Sequence, residues 1–185
     1  GLYIPDTTYP CEYEWTKLPD QVRHDWTWQH CQDRLAAGLE CNTSDSVPSG
    51  PLNLSQGLMR SCNPFFWDIG YTLYQNNRSN DTANMARSFG RGNLTGIQQI
   101  AENAGQINDP NGDPIEVVNQ AIGQGTVQVT PLQVVRFMAA LGNGGTLYRP
   151  QLVETIQPIE GAALTAFIPE ATGTLPLTPE RLQLI

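Results

Sequence analysis

The stretch LNLSQGLMRSCNPFFWDIGYTL, residues 52–73, decides how this chain is read. Apolar residues at Leu54, Leu58 and Met59 recur at helical spacing, and Asn53 stands where an N-cap would open a helix that stops near Ser61. Asn63 is a favoured N-cap in its turn, and Pro64 suits the first helical position, where a missing N–H loses no bond. A second helix is therefore predicted from Pro64, with Phe65, Phe66, Ile69, Leu73 and Tyr74 mainly on one buried stripe. Ser61 and Asn63, two apart across this corner, can face the same way while Cys62 turns into the packing. Helix capping alone accounts for a Ser and an Asn in such places in most proteins, so the triplet acquires a function only from its surroundings.

Outward from the corner, residues 81–88 predict a third helix that packs through Ala83, Met85 and Ala86, and Gly90 and Gly92 then turn the chain. Thr130 and Pro131 repeat the cap-plus-proline start. That helix is expected to run to about Leu141, burying Leu132, Val135, Met138 and Ala139 or Leu141, and to end at the glycines of residues 142–145. Residues 148–156 alternate like a strand that lacks sheet partners, residues 160–176 read as a loop or linker, and Thr178, Pro179 and Glu180 open a short last helix. The first fifty residues look irregular. Their Trp15, Trp26 and Trp28, with Tyr3, Tyr9 and Tyr13, fit a loop-rich layer anchored on the helices better than a sugar platform. His24 and Asp25 are an isolated pair and a poor catalytic triad. Gly123-Gln124-Gly125 allows unusual backbone angles and is read as structural.

At 185 residues one domain is the default, and 17 glycines with 14 prolines predict plentiful loops. A net charge of -8 disfavours nucleic acid or an anionic membrane surface as partner. No apolar run reaches the length of a membrane span, so a soluble chain is expected. FGRGNLTG lacks the third glycine and the preceding strand of a nucleotide-binding loop. The four cysteines lack C-x-x-C spacing, and with only His24 and His30 beside them neither a metal site nor a cofactor is expected.

SCNPFFWDIG, residues 61–70, resembles the region around the S-x-N motif of penicillin-binding proteins. The likeness continues in order through SFGRGNLTG, AENAG, AIGQGTVQVTPLQVVRFMAALGNGG and LYRPQLV. It is nearest to the transpeptidase domain of the class B, high-molecular-weight members. The resemblance implies a mainly α fold with minor β, the helical part of the penicillin-binding protein and serine β-lactamase-like transpeptidase fold, spanning residues 1–185 as a partial domain. Within it, residues 1–50 would be the loop-rich entry, 51–145 the helical core, and 146–185 a strand, a linker and a truncated helix. The activity implied is D,D-transpeptidation, which cross-links peptidoglycan stem peptides by serine acyl transfer and is blocked by β-lactams. Ser61 would relay a proton as a catalytic residue, and Asn63 would bind the amide of the stem peptide or β-lactam.

The nucleophile is not among these residues. Lys17 is the one lysine, with Glu14 three residues before it and Leu18 after it, so neither S-x-x-K nor K-T-G is present. The chain is therefore expected to be a central piece that is inactive alone. Its parent would be membrane-anchored, would work on the extracytoplasmic face and could meet other cell-wall synthesis proteins. A noncatalytic scaffold of the same fold, or a β-lactamase or β-lactam sensor, is the alternative. The implied location permits disulfides: one bridge is expected among Cys11, Cys31 and Cys41, with Cys11 to Cys31 first, and Cys62 is expected as a buried free thiol.

Overall fold

Helix starts in this chain are written by a polar cap followed by proline, and the computed structural model, which describes residues 6–162 and 164–183, bears that grammar out repeatedly. Strands β1 (Tyr9–Cys11), β2 (Glu14–Trp15) and β3 (Arg23–His24) precede helix α1 (Trp26–Ala36). Strand β4 (Gly50–Leu52) leads into α2 (Leu54–Met59), α3 (Asn63–Gln75) and α4 (Asp81–Ser88). Then come β5 (Gln106–Ile107), α5 (Pro114–Ala121), β6 (Val127–Gln128), α6 (Pro131–Gly142), β7 (Thr146–Tyr148), β8 (Thr155–Ile156), β9 (Thr165–Ala166), β10 (Ala171–Thr174) and α7 (Pro179–Leu182). The fold is mainly α with minor β, and each strand belongs to a two-stranded antiparallel ladder.

The chain forms two compact units: residues 1–82 with 109–125, and residues 83–108 with 126–185. The boundaries expected from the resemblance, at residues 50 and 145, fall inside the first and the second unit respectively. In the first unit α3 lies along α5 so closely that a Cβ on Gly70 would stand 2.9 Å from the Ala121 Cβ and 3.0 Å from the Val117 carbonyl oxygen. Trp15, Leu18, Trp67 and Val118 are buried together, and Cys11, Leu52, Cys62 and Phe65 form a second cluster. Trp15 thus anchors the N-terminal layer on the helices, as expected; Tyr3 lies outside the described residues. That layer also holds α1, which the sequence reading missed.

Four helix faces depart from expectation, the least in α4, where Ala83 is buried but Met85 is exposed. Leu58 and Met59 are 69% and 77% exposed, and α2 instead buries Gly57, where a Cβ would meet the Phe65 ring at 3.1 Å. Helix α3 is covered on more than one side, with Pro64, Phe65, Trp67, Asp68 and Gly70 buried and Phe66, Ile69, Leu73 and Tyr74 half-buried. In the second unit, Val135 and Met138 of α6 are exposed, while Gln133 and Ala140 face inward. The cause is polar: the Gln133 amide donates to the Asn93 and Ala104 carbonyls at 2.6 and 2.8 Å, and its oxygen accepts the Thr130 N–H at 3.1 Å. Satisfying a buried amide turned the helix away from its apolar stripe.

The strand expected over residues 148–156 is interrupted. Strand β7 ends at Tyr148, before Arg149-Pro150, and β8 starts at Thr155; they pair with β10 and β9, both inside the stretch read as a linker. Ala140, Leu147 and Leu175 form the core of this unit, with Phe89, Leu141, Leu177 and Leu182 packed around them.

The cysteine pairing is corrected outright. Cys11 is bonded to Cys62, and Cys31 to Cys41, leaving no free thiol. Strand β1 pairs with β4 just before α2, which brings Cys11 to the helix corner, while Cys31 within α1 faces the loop that follows that helix. Cys11 with Cys31 was expected to tie the two aromatic-rich N-terminal segments together; the β1–β4 ladder decides otherwise.

Candidate active site

The corner at residues 60–63 is a tightly specified piece of backbone. Helix α2 opens on a capping box in which Asn53 and Gln56 exchange side-chain and backbone bonds, and it closes at Arg60. Ser61 follows with φ 51°, in the left-handed region; its N–H donates to the Leu58 carbonyl at 3.1 Å and the Cys62 N–H to the Gly57 carbonyl at 3.0 Å. This is a Schellman ending, whose left-handed position glycine normally fills. Five other helices end with a left-handed residue and an N–H reaching back five positions, and there the left-handed residue is Gly38, Asn77, Gly90, Gly123 or Gly144. Serine stands in this position only at the corner, among these six ends. A side chain with a Cβ costs about 1–2 kcal/mol there.

Helix α3 begins one residue earlier than the sequence implied, with Cys62 rather than Asn63 as its N-cap. The Cys62 sulfur accepts the Phe65 N–H at 3.4 Å, and the Asn63 N–H is taken by the carboxylate of Asp25 at 3.0 Å. Cys62 is 1% exposed, so the inward turn expected of it is real, although as a disulfide and not a thiol. Ser61 and Asn63 come to one open pocket of about 250 Å³, lined also by Leu58, Phe66, Ala121 and Ile122. A hydroxyl and a carboxamide on an otherwise apolar wall can exchange a proton with, and hydrogen-bond, a bound amide.

The model of the penicillin-binding protein transpeptidase domain matches residues 17–185. The chain belongs to this family. Stage V sporulation protein D of Bacillus subtilis is 36% identical over 104 residues, which cover 55% of this chain and 15% of that protein. The peptidoglycan D,D-transpeptidase MrdA of Salmonella typhimurium is 27% identical over 184 residues, covering 93% of this chain and 25% of the relative. A chain in the solved structure of a peptidoglycan synthase complex that coordinates polymerization and crosslinking shares the fold, with TM-score 0.70 and 25% identity over 99% of this chain and 28% of that one. This member of the penicillin-binding family thus spans a quarter or less of the length of these two curated relatives.

Other polar groups of the transpeptidase region have local employment. Lys17 is ion-paired with Asp68. The Glu102 carboxylate accepts the Thr95 hydroxyl, the Thr95 N–H at 2.9 Å and the Gly96 N–H at 2.8 Å; these bonds, the Thr95 hydroxyl first, hold its pKa below the ordinary glutamate value. Among the described residues, the one grouping with metal-ligand character is Cys11, Asp25 and Cys62, whose cysteines are already joined to each other. Gly123 and Gly125 take φ 73° and 78°, and a Cβ on Gly125 would stand 2.7 Å from both Glu116 carboxylate oxygens.

The sequence reading missed the contacts that Asp25 and Trp26 make with the corner. Asp25 is the N-cap of α1, accepting from the Thr27 N–H, and the Trp26 indole N–H donates to the Arg60 carbonyl at 3.1 Å. The signal was an Asp with a Thr two residues on, a capping pattern hidden by a helix with little apolar periodicity.

Proposed function

We propose that this chain is the central part of a peptidoglycan D,D-transpeptidase domain, in which Ser61 relays a proton and Asn63 binds the amide of the stem peptide or of a β-lactam. The observation that carries the reading is the left-handed Ser61 beside Asn63 in one pocket: a serine kept where glycine would be less strained points to a need for its hydroxyl. The acyl-accepting serine and the lysines of the other two motifs would come from sequence outside these 185 residues, so the chain alone does not acylate. Two disulfides fit the oxidising extracytoplasmic face of a bacterial membrane as the place of work. Membership in the family supports β-lactams as ligands, and the synthase-complex relative supports other cell-wall synthesis proteins as partners.

Full-length protein treated with a labelled β-lactam is expected to carry one covalent adduct, on a serine outside residues 1–185. Asn63→Ala is expected to slow its formation about 100-fold, the order seen when one preorganised polar contact to a reacting amide is removed. An unchanged rate in Asn63→Ala returns that residue to helix capping, and the absence of any adduct favours a noncatalytic scaffold of the same fold.

A further inference from the structure

Asp25 has no part in the acyl transfer described above, yet it is a carboxylate only 1% exposed beside the triplet. Its two oxygens have separate duties. Oδ1 accepts the Asn63 N–H at 3.0 Å, and Oδ2 accepts the Thr27 hydroxyl at 2.7 Å and the Thr27 N–H at 3.3 Å. A carboxylate taken out of water is tolerated only when its charge is compensated and its lone pairs are used. Here Asp25 caps α1 and touches the first residue of α3, so the positive ends of an 11-residue and a 13-residue helix converge on it. Its own N–H donates to the Tyr13 carbonyl at 2.8 Å, which fixes the carboxylate's base.

The neighbouring contacts show what this arrangement holds. Trp26 grips the Arg60 carbonyl, Cys11 is bonded to Cys62, and Asp25 takes the Asn63 N–H, so these three residues fasten three of the four corner positions around strained Ser61. We propose that Asp25 is a positioning residue: by fixing the Asn63 N–H it sets where the Asn63 carboxamide and the Ser61 hydroxyl stand in the pocket. The proposal rests on the reading of Ser61 and Asn63 as the working side chains.

The geometry needs two acceptor oxygens; an asparagine has one and would turn an amide donor toward an N–H or a hydroxyl. In full-length protein, Asp25→Asn is expected to lower the saturating rate of β-lactam acylation about 10- to 100-fold, with the affinity of the noncovalent complex little changed. Thiol titration of the denatured variant is expected to find both disulfides formed. Leu18→Ala, a truncation buried among Trp15, Trp67 and Val118 in the same unit, is the control: it is expected to lower Tm and to leave the saturating rate near wild type. A wild-type saturating rate in Asp25→Asn overturns the proposal whatever its Tm, and so does an equal rate loss in Leu18→Ala. If Asp25→Asn does not fold, Asp25→Glu, which keeps both acceptors but displaces them by one methylene, is read in the same way. A wild-type protein that forms no adduct removes the underlying reading and this proposal with it, an outcome told apart by the wild type alone.

Discussion

Two helix ends meet at the candidate pocket, and they are built alike but occupied differently. Helix α2 ends at Arg60 with left-handed Ser61 after it; α5 ends at Ile122 with left-handed Gly123 after it. In both, an N–H reaches back five residues, from Cys62 to Gly57 and from Gln124 to Asn119. A Cβ on Gly123 would meet nothing within 4 Å, so glycine is present there for its backbone freedom alone. At the α2 end that freedom is given up for a hydroxyl, and the conformation is held from outside by a disulfide, an indole and a buried carboxylate. Under the proposed function, the strain kept at this pocket wall goes with a working hydroxyl, while the relaxed α5 end only turns the chain.

The comparison can be broken first at its restraint. Replacing Cys11 and Cys62 together by serine opens a loop closed across 51 residues and is expected to destabilise the protein by about 2–5 kcal/mol, measured by denaturant unfolding under non-reducing conditions. The same double change at Cys31 and Cys41, ten residues apart, closes a shorter loop and should cost less.

Next comes the relaxed end. Gly123→Ala adds a methyl group into open space at φ 73°, so its expected net cost of about 1 kcal/mol, left-handed strain less the unfolded-chain entropy it removes, is conformational and not steric. A neutral outcome would show that α5 can end without a left-handed residue and would remove the parallel between the two ends.

The smallest effect is also the most discriminating. Ser61→Gly relieves about 1–2 kcal/mol of left-handed strain but adds about 0.4–1 kcal/mol of unfolded-chain entropy, for a net gain of about 0.5–1 kcal/mol. Stability is thus expected to rise slightly while β-lactam acylation of the full-length protein falls. Loss of stability in Ser61→Gly would mean that the hydroxyl contributes to folding and would end the argument from strain.

The corner was legible in the sequence because its signals are local. Asn53, Pro64, Thr130 with Pro131, and Thr178 with Pro179 announce helix starts through bonds made within one turn, and four of the matching helices begin within a residue of the predicted place. Helix α1 was hidden because its cap, Asp25, precedes a sequence with weak apolar periodicity. The buried face of α6 was misread for the opposite reason: its apolar stripe is clear, but Gln133 must satisfy its amide inside.

By itself, then, the sequence determined the family, the helix boundaries around the SCN corner, and the absence of both lysine-bearing motifs from these 185 residues. Those are matters of residue identity, spacing and bonds within a few residues. Which cysteines pair, which faces of α2 and α6 are covered, and that Asp25 braces Asn63 from 38 residues away were decided by tertiary structure alone. A disulfide or a buried carboxylate needs partners brought together in space, and no local pattern records which distant segment will supply them.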